Sequence, residues 1–107
     1  MASDCAPKPG TFHAFVHMIN RSVGILWVFG VATCREGGFR CRLEPAVPPG
    51  INPGDLILNL VCEHGEPSTD VILDVPVMYV QAEMQRPPTT VTIEPGNVHI
   101  HVAPIST

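Results

Sequence analysis

Short apolar runs rich in β-branched residues recur along the chain, and nearly every gap between them holds Gly, Pro or Asn. That punctuation separates strands rather than helices. From Thr11 to Ile19 the residues alternate, with Phe12, Ala14, Val16 and Met18 on one face and His13, Phe15, His17 and Ile19 on the other. A period of two predicts a first strand, ended by Asn20-Arg21-Ser22. The run from Ile25 to Cys34 is apolar on both faces, the pattern of a central strand covered on two sides. Ile25, Trp27, Phe29 and Val31 are assigned to its core side, which places Leu26, Val28, Gly30 and Ala32 outward.

Further strands are predicted at Phe39 to Glu44, with Phe39, Cys41 and Leu43 on one face, and at Leu56 to Glu63, with Leu56, Leu58, Leu60 and Cys62 inward. The connection between them contains Pro48, Pro49, Gly50, Pro53 and Gly54. Val71 to Ala82 holds Pro76, which cannot donate to a ladder, so this segment is expected at an edge or at a bend. Thr90 to Ile93 and Val98 to Val102 complete the set around Glu94-Pro95-Gly96-Asn97. About seven strands with no helical period predict an all-β, single-domain antiparallel β-sandwich, with residues 1–9 as a flexible tail.

A hairpin around Arg35-Glu36-Gly37-Gly38 is expected to join the second and third strands. A two-residue loop would set Cys34 opposite Cys41 and Arg35 opposite Arg40, whereas a three-residue loop joins Phe39, Cys41 and Leu43 to the Trp27 and Phe29 face. The apolar pattern favours the three-residue loop. Cys34 and Cys41 then point apart, Cys41 and Cys62 become core thiols, and Cys5 lies in the tail. No two cysteines have the close spacing of a zinc knuckle or a redox motif, and the four are expected to be reduced.

The chain has 107 residues and a formal charge of −4, enough length for one core and no basic stripe for nucleic acid or an anionic membrane. Only 15% of it is charged, low enough to expect that part of the surface is covered by another subunit. Leu26, Val28 and Ala32, beside Arg40 and Arg42, are the expected interface. The first residues carry no basic and apolar signal, so the chain reads as cytoplasmic, or as secreted if a signal has been removed.

Strand number and spacing resemble immunoglobulin-like domains or a related Greek-key topology. The Cys, Trp, Cys order of immunoglobulin domains is absent, because Trp27 precedes Cys34, Cys41 and Cys62. The cupin pattern also fails, since Val102-Ala103-Pro104 follows His99-Ile100-His101 where Glu and a second histidine motif belong.

Histidine is the strongest candidate for chemistry. His99 and His101 leave one face of a strand about 6–7 Å apart, a spacing that can converge on one metal ion. His13 and His17 share a face of the first strand but lie about 13 Å apart. If the terminal strands pair, up to three of the four gather on a zinc or copper ion, although no carboxylate close in sequence orients them. Ser68, Asp70 and His64 share one loop of ordinary turn composition, and Arg35, Arg40 and Arg42 form a charged hairpin tip.

Neither group makes a convincing nucleophile and base. The sequence therefore predicts a non-catalytic binding or assembly module, a homo-oligomer or the partner of another protein, with a small histidine metal site as the alternative.

Overall fold

The computed structural model describes residues 5–35, 38–47, 54–64 and 73–105, apart from the side chains of His64 and Leu73. These residues form β1 (Cys5–Pro7), β2 (His13–Met18), β3 (Val23–Cys34), β4 (Phe39–Pro45), β5 (Asp55–His64), β6 (Leu73–Gln85), β7 (Thr90–Glu94) and β8 (Val98–Pro104). All belong to one sheet of order β1-β3-β2-β8-β7-β5-β4, with β6 paired to β3. β4, at one end of this path, lies against β6, which hangs on β3 near the other end, so the sheet curls around a core.

The expected all-β class is borne out, but the all-antiparallel arrangement is not. β2 pairs β8 in parallel, Ala14 opposite Val102, and β5 pairs β7 in parallel, Asp55 opposite Thr90. Parallel neighbours need a long crossover. Between β5 and β7 that crossover is β6, which leaves for the opposite half of the sheet to pair with β3. β2, the strand expected to be first, thus meets β8, the last, while β1 precedes β2 and pairs β3.

β3 organises the fold because both of its edges are hydrogen-bonded. β6 runs antiparallel along one edge from Val23 to Cys34. On the other edge β1 pairs Ala32–Cys34 and β2 pairs Gly24–Phe29. No edge is left for β4, which pairs β5 instead, with Phe39 opposite His64 and Leu43 opposite Leu60. The hairpin expected between the second and third strands is therefore not formed, and Glu36 and Gly37 of its loop lie outside the described residues.

With that hairpin goes the assignment of faces on β3. Leu26, Val28 and Ala32 are fully buried, not outward, and pack with Leu58, Val91 and Ile93 at the centre of the core. Complete burial of each such Leu, Ile or Val contributes about 1.5–3 kcal/mol. The interface expected at Leu26, Val28 and Ala32 is thus core, covered by the chain's own β4, β5 and β7. Cys34 is likewise buried, not outward beside Arg40.

Other expectations hold. Leu43 and Leu58 face inward, with Cys41, Leu56 and Leu60 packed against the core, while Arg40 and Arg42 are exposed. β6 is an edge strand in the hydrogen-bonding sense, paired only to β3 among the described residues, and it carries Pro76 opposite Val31. β7 and β8 form a hairpin whose turn sets Gly96 at φ 104° and Asn97 at φ 51°, left-handed conformations that suit these two residues. The β2–β3 turn is held by the Asn20 side chain, whose oxygen accepts from the backbone N–H groups of Ser22 and Val23 at 2.9 and 3.0 Å.

Gly30 is buried beneath the ring of Phe12, and an added Cβ would collide with that ring. Gly30→Ala is expected to cost about 1–3 kcal/mol through displacement of Phe12, read as a lower urea midpoint with unchanged slope.

Candidate functional site

Two outer faces of the sheet carry candidate chemistry, one polar and one apolar. The polar face lies where β5, β7 and β8 meet. Asp55 opens β5 opposite Thr90, and Thr90 and Thr92 on β7 stand opposite His101 and His99 on β8. A cleft of about 310 Å³ is lined here by Asp55, Thr90, His99, Ile100 and His101.

Within the cleft the Asp55 carboxylate accepts from Thr90 Oγ1 at 2.9 Å and from Thr92 Oγ1 at 3.0 Å. Thr92 Oγ1 also lies 2.8 Å from His99 Nδ1. A hydroxyl has one proton and the carboxylate can only accept, so Thr92 donates to Asp55 and accepts from His99 Nδ1–H. That chain fixes the His99 tautomer and leaves the Nε2 lone pair for an external proton or metal ion. Thr92 is itself buried, so it orients His99 and does not meet a substrate.

Thr92→Val is expected to leave Asp55 with one hydroxyl donor and release His99 from its fixed tautomer. The stability loss should be about 1–3 kcal/mol. Long-range proton–nitrogen NMR correlations of His99 should change from one dominant tautomer to a mixture.

The apolar face covers the outer side of β2, β3 and β6. Phe15 stands opposite Trp27 and His13 opposite Phe29, while Val80, Met78 and Pro76 oppose Trp27, Phe29 and Val31 from β6. The Phe15 and Phe29 rings are 5.6 Å apart, and the His13 ring lies 6.4 and 6.0 Å from them. Phe29 is 39% exposed, Val80 48% and Met78 63%, so the patch reaches solvent on β3 and β6, with Phe15 and Trp27 half-buried beside them. A shallow hollow of about 480 Å³ opens in it between Thr11, Phe29, Val31, Pro76 and Met78.

The chain matches no family model, no curated protein and no solved structure. The reading of either face therefore rests on its own geometry.

His99 and His101 lie on one exposed face, as their alternation implies. His13 is engaged with Phe15 and Phe29, and His17 is half-buried opposite Ile25. Although the two histidine-bearing strands β2 and β8 pair, the four imidazoles do not assemble into one centre. Among the described residues the one grouping of three or more metal-ligating side chains consists of Cys5, Cys34, Cys41 and Cys62.

Arg42 is held by Glu44 at 2.7 Å and Glu63 at 3.1 Å, and the hydrogen bond to Glu44, then that to Glu63, raises its pKa. Two carboxylates on one guanidinium leave it no charge for an added anion. Ser68 and Asp70 lie outside the described residues.

The cysteines depart most from expectation. Cys5 is not in a flexible tail but buried in β1 opposite Cys34, and the two form a disulfide. Cys41 and Cys62, opposite each other on β4 and β5, form a second. Each pair has a Cα separation of 4.1 Å, the close approach of directly opposed residues between widely spaced hydrogen bonds. β1 is held further by Lys8, whose ammonium lies 3.0 Å from Asp74 on β6. That hydrogen bond, then one from Thr33, lowers the Asp74 pKa.

Proposed function

We propose that the protein is a non-catalytic assembly module that self-associates through the outer face of β2, β3 and β6. The observation that carries this reading is the continuous exposure of Phe29, Met78 and Val80 around Trp27 and Phe15. Three strands of this length present a projected patch of about 300 Å², within the size that marks interaction sites. The occupant is a second copy of the chain. On this face, from Trp27 to Val31 and their partners on β2 and β6, His13 is the one ionisable group, and at the end of the face Asp74 is paired with Lys8, so two copies stack on it without opposing their net charge of −4. Asp55, Glu44, Glu63 and Glu94 lie on the other half of the sheet and are kept apart by that packing.

Two such faces bury about 600 Å² together, the size of a weak transient contact, so the dimer is reversible with a dissociation constant of about 100 μM. Trp27 emission should shift to the blue with rising concentration, and Met78→Glu should abolish the shift without altering the circular dichroism. A Trp27 spectrum independent of concentration would remove the reading. Two disulfides favour an oxidising compartment over the cytoplasm, and no helix among the described residues is long and apolar enough to cross a membrane.

A second reading has one observation in its favour. The Asp55, Thr92 and His99 chain presents His99 Nε2 beside His101, which fits a two-imidazole site for zinc or copper. Stoichiometric binding by the disulfide-bonded chain, lost in His99→Ala, would support it. Equal broadening of all histidine resonances would dismiss it.

A further inference from the structure

The two disulfides are not independent staples, because they meet across the core. β1 and β3 bring Cys5 and Cys34 from one half of the sheet, and β4 and β5 bring Cys41 and Cys62 from the other. Cys34 Sγ lies 3.8 Å from Cys41 Sγ, and all four sulfurs lie within 4.8 Å of one another. A tetrahedral zinc thiolate site with bonds of about 2.3 Å has sulfur–sulfur edges of about 3.8 Å. The contact between the two pairs already has that length. The remaining edges are reached by side-chain displacements of about 1 Å, within the reach of small χ1 rotations.

We propose that the four cysteines form a single centre which, once reduced, binds one zinc ion as a closed four-thiolate site. Two molecules of a dithiol reductant deliver four electrons and four protons, the two S–S bonds break, and two disulfides of the reductant form. Zinc binding then displaces the four thiol protons, and four Zn–S bonds replace the two S–S bonds. Each state ties the same four strands, so the sheet keeps its closure whether it is oxidised or metal-loaded. The half-burial of Cys41 and Cys62 gives the ion and the reductant a way in.

Sequence spacing conceals this centre. Its members are separated by 29 and 21 residues within the pairs, far from the short ligand spacing of a zinc knuckle.

The test uses the full chain reduced with a phosphine in the absence of oxygen and titrated with cobalt(II), then zinc. The expected result is one ion per chain, with the intense sulfur-to-cobalt charge-transfer band and the visible bands of a tetrahedral site, bleached by zinc. Cys5→Ser should weaken zinc binding at least tenfold, and the oxidised chain should show no charge-transfer band. Should reduction alone unfold the chain, zinc is expected to restore its β-sheet circular dichroism. A reduced chain that binds no ion, that binds without the thiolate band, that binds equally well as Cys5→Ser, or that zinc cannot refold would overturn the proposal.

Discussion

Leu26→Glu is expected to unfold the chain. Leu26 is fully buried among Val28, Leu58 and Ile93. Truncation of such a leucine costs about 2–5 kcal/mol, and an unpaired carboxylate in the same place costs several more. A domain of this size has about 5–15 kcal/mol in total. Phe29→Glu, three residues along the same strand and on the other face, places its charge in water and should stay folded. Proton–nitrogen NMR spectra of the two variants make the comparison. Collapsed dispersion is expected for Leu26→Glu and native dispersion for Phe29→Glu, and a folded Leu26→Glu chain would contradict the assignment of faces on β3.

Loss of the disulfides has the second large effect. The Cys5–Cys34 bond closes a loop with a separation of 29 residues and the Cys41–Cys62 bond one of 21. By loop-closure entropy these bonds contribute about 3.6 and about 3.3 kcal/mol. Replacing both members of one pair by serine should lower the unfolding free energy obtained from urea denaturation by that amount, seen as a lower midpoint and measured in the absence of metal. The two pairs touch, so their removal together should not be additive. Because Cys5 lies on a strand of three residues, its bond also fixes β1, and amide exchange of Ala6 and Pro7's neighbour Lys8 should accelerate most in the Cys5–Cys34 variant. A midpoint unchanged in either double-serine variant would show that the bond does not form in solution.

The strands were legible in the sequence wherever period and punctuation agreed. The faces of β4 and β5, the β7–β8 hairpin and the edge position of β6 follow from alternation at Phe39 to Leu43, from Pro95-Gly96-Asn97 and from Pro76. The partners of β3 were not legible, because a strand apolar on both faces contains no local signal of which side meets the core. Proximity in sequence favours β4 as its partner, yet β1, β2 and β6 occupy both of its edges. With those partners Leu26 faces the core and Trp27 the outer face, the reverse of what pairing with β4 implies.

The candidate sites follow the same division. His99 and His101 were legible from their spacing of two. Asp55, which anchors His99 through Thr92, was not, because it follows a Pro and Gly connection and reaches β7 only through a parallel pairing. The inward direction of Cys41 and Cys62 was readable, but their bond required the β4–β5 register. Cys34 does meet Cys41, as the discarded two-residue loop implied, but across the core and not along a ladder.

The self-association of the β2, β3 and β6 face is tested most directly by sedimentation velocity of the disulfide-bonded chain over a hundredfold concentration range, beside Met78→Glu. The account predicts a wild-type weight-average coefficient that rises from monomer toward dimer with a midpoint of about 100 μM, and a Met78→Glu variant that remains monomeric and folded throughout. A wild-type chain that stays monomeric at the highest concentration, or a Met78→Glu variant that dimerises equally well, would contradict it.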